Sequence, residues 1–139
     1  MKFWDSSAIV APLVDEPSHG FVQQEFESDP AMTVWWTTRV ECMSALVRRE
    51  RDQSTDAEST RIAFDQLRKL GEEWHEVLPT RVLRSAAERM LRVHVLRAAD
   101  AFQLAAALTV ADDDPSTLEF VSLDARLKDA AAREGFLVR

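Results

Sequence analysis

The 139-residue chain has a single cysteine, Cys42, and only three glycines, Gly20, Gly71 and Gly135. One thiol excludes a disulfide framework and any cysteine-rich zinc or iron–sulfur site, and it fits a reducing compartment. Isolated glycines exclude a Walker-type phosphate loop and a dinucleotide fingerprint, which need clustered glycines so that backbone can approach phosphate. No apolar run approaches the ~18 residues that would span a bilayer, since the longest candidate, 98–111, carries Asp100 and Gln103. Asp5 interrupts the N-terminus where a signal peptide needs apolar residues. A cytoplasmic protein with no membrane attachment is expected. His19, His75 and His94 lack metal-ligand spacing and no G-x-S-x-G serine occurs, so zinc hydrolysis and a serine triad both lack support.

What is present is an ordinary globular composition, 46% hydrophobic and 29% charged, in a length that suits one domain over residues 1–139. The net charge of −7 argues against a non-specific nucleic-acid binder. The charge is uneven, however. Arg81, Arg84, Arg89, Arg92 and Arg97 face only Glu88 within 81–97, and Arg48, Arg49 and Arg51 form a second cluster. Solvated helix faces explain such clusters, and so does local steering of a polyanion. Trp4, Trp35, Trp36 and Trp74 fall on or beside strands, where core packing is expected more than base stacking. Cys42 has no identifiable base nearby and reads as a buried structural thiol.

Periodicity predicts strands at 2–4, 33–36, 76–78, 118–122 and 136–138. Helices are predicted at 6–14, 18–26, 38–51, 57–70, 81–93, 98–111 and 125–133, with Pro12 and Pro17 as punctuation. Gly71 and Gly135 are the expected C-terminal stops. Strands alternating with helices imply an α/β fold with a parallel sheet covered on both faces.

Four acids share one kind of location. Asp5 follows the first strand, Glu41 and Asp100 open helices, and Asp124 follows the strand at 118–122. Ligands of open parallel sheets bind outside the carboxyl ends of strands, so these four acids can meet at one sheet edge. Each also has a local role: Asp5 and Asp124 as N-caps, Thr38 with Glu41 as a capping box, and Asp100 favoured by a helix dipole. Caps alone do not require convergence. Convergent carboxylates repel unless protonated or sharing a cation, and an oxygen-only set selects Mg²⁺ or Mn²⁺, which suits phosphoryl chemistry. Ser7 and Ser122 stand two residues from Asp5 and Asp124, close enough to orient a carboxylate or a phosphate oxygen.

The segments Asp5-Ser6-Ser7-Ala8, Thr38-Arg39-Val40-Glu41, 96–107 around Asp100, and 120–124 ending at Asp124 resemble, in that order, those of a PIN domain. The similarity is closest to the VapC-type toxin ribonucleases of toxin–antitoxin pairs, and it spans essentially the whole chain. Ser122 stands where the family often has threonine, which keeps the hydroxyl. The resemblance implies a three-layer α/β/α sandwich and a Mg²⁺-dependent endoribonuclease, with Mn²⁺ able to substitute. It maps the family's acidic residues onto Asp5, Glu41, Asp100 and Asp124, with Asp5 and Asp100 as the direct metal ligands. It further implies a cognate antitoxin, an RNA substrate and a homodimer, with partner surfaces on the N-terminal helices. Arg81, Arg84, Arg92 and Arg97 are the candidate RNA contacts. Two alternatives stay open: a non-catalytic PIN-like binding protein, and a receiver-like phospho-acceptor domain. The latter fits less well, because the first strand offers one acid and Lys128 sits one turn into a helix.

Overall fold

Alternation within very short strands sorts the core onto two faces of one sheet. The computed structural model describes residues 1–14 and 19–139. Pro17 and the start expected for the second helix at Ser18 lie outside the described residues. The elements are β1 (Lys2–Trp4), α1 (Ser6–Leu13), α2 (His19–Ser28), β2 (Met32–Trp35), α3 (Thr38–Arg51) and α4 (Ala57–Gly71). They continue with β3 (His75–Val77), α5 (Arg81–Val93), α6 (Ala98–Val110), β4 (Glu119–Val121), α7 (Ala125–Glu134) and β5 (Leu137–Val138). A 3₁₀ turn at Pro115–Thr117 leads into β4. No helix is long and apolar enough to cross a membrane among the described residues.

The sheet is parallel throughout, in the order β3-β2-β1-β4-β5. Phe3, Trp35 and Phe120 point to one face, where α5, α6 and α7 cover them. Trp4, Val34 and Val121 point to the other, against α1, α3 and α4. Phe3 stacks on Phe120 at 5.4 Å, so the sheet centre carries an aromatic layer. The alanine run of α6, with Ala101 and Ala105–Ala107 fully buried, lets that helix lie close to the strands. This is the three-layer α/β/α sandwich that the sequence implied.

Chain direction across the sheet explains where a site can form. From β1 the chain steps outward through β2 to β3 over one face; it then returns over the other face to β4 and on to β5. Right-handed crossovers require that change of face when the direction reverses. The reversal point lies between β1 and β4, and a crevice opens there at the strands' carboxyl ends. The same order argues against a receiver-like domain, whose doubly wound sheet runs 2-1-3-4-5.

Two local expectations are corrected. Gly71 is the last residue of α4 rather than the stop beyond it; Glu72 caps the helix in right-handed geometry. The glycine leaves room for the Trp74 ring, since a Cβ there would meet Trp74 Cζ2 at 3.3 Å and the ring would have to give by a few tenths of an ångström. Gly135 does close α7 in the left-handed region, at φ 100°. The second correction concerns α3. Its N-cap is Thr37 without a side-chain cap bond, and the expected Thr38–Glu41 capping box is absent, because both side chains are bonded across the sheet edge instead.

Candidate active site

Asp5 stands at the reversal point itself. Its backbone N–H donates to Val121 O at 3.0 Å, which ties the end of β1 to the end of β4. The side chain caps α1 from the Asp5 position, as its sequence position suggested. Burial is nearly complete, with 3% exposure. Its Oδ2 accepts the Ser7 hydroxyl, the Ser122 hydroxyl at 2.9 Å and the Ser7 N–H at 3.3 Å. Oδ1 has only a long contact from the Ser6 hydroxyl, at 3.4 Å. The two flanking serines are themselves fixed from behind. Ser7 Oγ accepts Leu123 N–H at 2.9 Å, and Ser122 Oγ accepts Asp124 N–H at 3.0 Å.

Glu41, on the first turn of α3, is held by three donors. Thr37 Oγ1 donates to Oε1 at 2.7 Å, while Ser6 Oγ and Gln103 Nε2 donate to Oε2 at 3.1 and 3.0 Å. Gln103 also donates to Thr38 Oγ1 at 3.0 Å and is wholly buried, so α6 and α3 are joined by one amide. Asp100 lies one turn before Gln103 on α6, half-buried, with the Arg97 backbone N–H bonded to its carboxylate. Asp124 caps α7, accepting Leu127 N–H at 2.8 Å.

Electrostatics tie the four acids together. Burial pushes the Asp5 carboxyl above its ordinary value against the pull of Ser7 and Ser122, and the Glu41 charge raises it further. Burial likewise raises Asp100, aided by the charges of Asp124 and Glu41 and opposed by Arg97. Cys42 lies behind them; its thiol is pushed far up by burial and by the charges of Asp5 and Glu41, and it is inert as a nucleophile.

A cleft of about 960 Å³ opens on this edge. Ser6, Ser7, Glu41 and Asp124 line one part, and Ser44, Arg48 and Arg49 another. Arg48 is seven residues beyond Glu41 on the same helix, roughly 10 Å along it. Oxygen donors alone line the acidic part, a set suited to a hard divalent ion. Among the described residues no three carboxylate, imidazole or thiolate groups stand close enough to form a ready-made chelate.

The expected arginines divide. Arg97 is the N-cap of α6 and its charge reaches Asp100. Arg81 and Arg84 line a second groove, together with Trp36 and Thr37. Arg92 is exposed and lines neither opening, while its neighbours Arg89 and His94 pair with Glu134. Sequence reasoning missed Ser6, Thr37 and Gln103 as holders of Glu41, and left Arg48 out of the candidate site. A glutamine inside an otherwise apolar alanine-rich helix was the available signal for Gln103. Trp4, Trp35 and Trp74 are buried as expected, whereas Trp36 is 52% exposed.

No protein-family model matches the chain. No curated protein matches it by sequence either. Solved structures do. The chain is similar to PAE2754 from Pyrobaculum aerophilum, with a TM-score of 0.63 and 19% identity over 93% of this chain and 83% of that one. It is also similar to FitAcB from Neisseria gonorrhoeae, with a TM-score of 0.68 and 15% identity over 99% of this chain and 96% of that one. At such identities the likeness is one of fold, and over nearly the full length the chain shares the three-layer α/β/α architecture of both.

Proposed function

We propose that this protein is a divalent-metal-dependent endoribonuclease of the PIN type, acting as the toxin of a toxin–antitoxin pair. One observation carries the reading. Four carboxylates drawn from positions 5, 41, 100 and 124 lie at one edge by the sheet's reversal point, with hydroxyls and one amide among them; burial raises the pKa values of Asp5 and Asp100, and neighbouring acid charge raises both further. Structural capping accounts for Asp5 and Asp124 singly, but not for an arrangement that destabilises its own members.

Asp5 and Asp100 are the residues that would hold Mg²⁺ or Mn²⁺. When bound, the ion supplies charge neutralisation for a phosphodiester and a water of lowered pKa. Ser7 and Ser122 keep Asp5 Oδ2 engaged and leave Oδ1 toward the metal. Glu41, gripped by Thr37, Ser6 and Gln103, orients the attacking water and accepts its proton. Asp124 completes the negative pocket. Arg48 and Arg49, farther along the cleft, steer the RNA backbone past the acids. Single-stranded or looped RNA suits such a groove better than a stiff duplex. A small antitoxin that places a basic side chain among the carboxylates would silence the enzyme. Assembly as a homodimer bound to such a partner belongs to the same proposal.

Asp100→Asn tests the reading, because the amide keeps an oxygen for the helix terminus and removes the charge. RNA cleavage with Mg²⁺ should fall by ~10²–10³, the usual effect of losing an electrostatic stabiliser, while the protein stays folded. Excess EDTA should abolish cleavage by the wild type. A folded Asp100→Asn protein cleaving at the wild-type rate would remove Asp100 from the site, cleavage persisting in EDTA would overturn the metal dependence, and no cleavage by the wild type with Mg²⁺ would leave the non-catalytic binding protein as the better account.

A further inference from the structure

Trp36 is the one tryptophan that the fold leaves outside. Strand β2 ends at Trp35, so the next side chain turns away from the core and is half-exposed beside a groove of about 570 Å³. That volume lies within the range of clefts that take a small organic ligand. Arg81 and Arg84, one turn apart on α5, line the same groove, and neither has an ion-pair partner among the described residues. Thr80 caps Leu83 N–H at 3.1 Å, and helix geometry leaves the N–H groups of Arg81 and Val82 without intrahelical acceptors. Trp35 forms a buried wall, stacked on Phe102 at 5.4 Å and 7°.

From these features we infer that the Trp36 groove is a nucleotide subsite, in which one RNA base stacks on Trp36 and its phosphate lies against Arg81, Arg84 and the start of α5. The inference rests on the ribonuclease reading and extends it to a substrate-positioning role. Thr37 provides the continuity: it lines the groove, and its hydroxyl holds Glu41 at 2.7 Å. A base seated on Trp36 is therefore next to the acidic centre. Aromatic stacking is tolerant of sequence, so this subsite fixes the position of the strand rather than its identity. Two arginines with no ion-pair partner among the described residues, beside a helix N-terminus, form a donor set suited to a phosphate.

The test is equilibrium binding of a hexauridylate RNA in EDTA, where no cleavage occurs, read by tryptophan fluorescence and by anisotropy of labelled RNA. Wild type should bind with quenching, and Trp36→Phe should lose most of the quenching while retaining most of the affinity. Trp36→Ala should bind about 10-fold more weakly, the loss of one stacked base. The Arg81→Gln, Arg84→Gln double variant should flatten the salt dependence of binding, and should also weaken inorganic polyphosphate, which Trp36→Ala should leave unchanged. Unaltered RNA affinity in a folded Trp36→Ala protein would overturn the subsite, all the more if that variant instead dissociates a dimer in sedimentation. Absence of any binding by the wild type would overturn it too. Trp36-dependent binding without Mg²⁺-dependent cleavage would preserve the subsite and reject the nuclease. Cleavage with Trp36-independent binding would do the reverse.

Discussion

The two ends of β1 treat buried charge in opposite ways. At the start, the ammonium of Lys2 is buried but surrounded: Glu25 lies at 2.6 Å, Glu119 at 3.3 Å, and Ser28 Oγ accepts at 2.7 Å. Burial works against its charge, yet these partners more than offset that and raise its pKa. Three residues later Asp5 is buried among hydroxyls, with Glu41 as its charged neighbour. One end is neutralised by its own chain; the other leaves negative charge uncompensated and opens onto a cleft. A fold seeking stability alone would treat both ends like the first, and the second is where we place the proposed site.

The sharpest way to break that contrast is in activity. Asp5→Asn should reduce Mg²⁺-dependent RNA cleavage by ~10²–10³, whereas Lys2→Met, assayed below its melting temperature, should leave the rate per folded molecule unchanged. Stability should rank the two variants the other way. Lys2→Met strands Glu25 in a partly buried setting, while Glu119 keeps Arg139 at 2.7 Å, and should cost about 1–3 kcal/mol by denaturant unfolding. Asp5→Asn removes a self-repelling charge and should raise the metal-free melting temperature by about 2–5 °C at pH 7.

The pH dependence follows from the sign of each shift. Asp5 has a raised folded pKa, so its ionisation destabilises the fold as pH rises from the unfolded value, ~4, through the folded one. The advantage of Asp5→Asn should therefore grow as pH rises from ~4 toward the folded pKa of Asp5, and vanish below ~4. Glu119 has a lowered pKa, chiefly through Arg139 and then Lys2, so its contribution is present above the unfolded value and lost as pH falls through the folded one. The smallest expected effect is linkage: Mg²⁺ should raise the melting temperature of the wild type more than that of Asp5→Asn. Equal shifts in both would remove Asp5 from the metal site.

Much of this was legible before any coordinates. The first strand at 2–4 and the helix 81–93 were predicted at their observed bounds, and acids after strand ends pointed to one sheet edge. What stayed hidden depends on contacts between distant residues. Glu41 and Gln103 are 62 positions apart, and nothing in either segment announces their bond. Thr38 looked like a capping residue because the local pattern allowed it; burial of Gln103 decided otherwise. Trp35 and Trp36 are identical in composition, and only the end of β2 between them separates a core ring from an exposed one. Gly71 looked like a helix stop, because the ring of Trp74 for which it leaves room is visible only in three dimensions.

The serine pair beside Asp5 has a further consequence for how that carboxyl can titrate. Each hydroxyl has one hydrogen, and each oxygen already accepts one backbone N–H, from Leu123 on Ser7 and from Asp124 on Ser122. The two hydroxyls lie 3.3 Å apart, but each has its shorter acceptor in Asp5 Oδ2, where both hydrogens go. An incoming proton finds that oxygen taken and must settle on Oδ1. Oδ1 is also the atom left for a cation, so proton and metal compete for a single atom. Below the folded pKa of Asp5, apparent metal affinity should then decline tenfold for each unit of pH, with a slope of one.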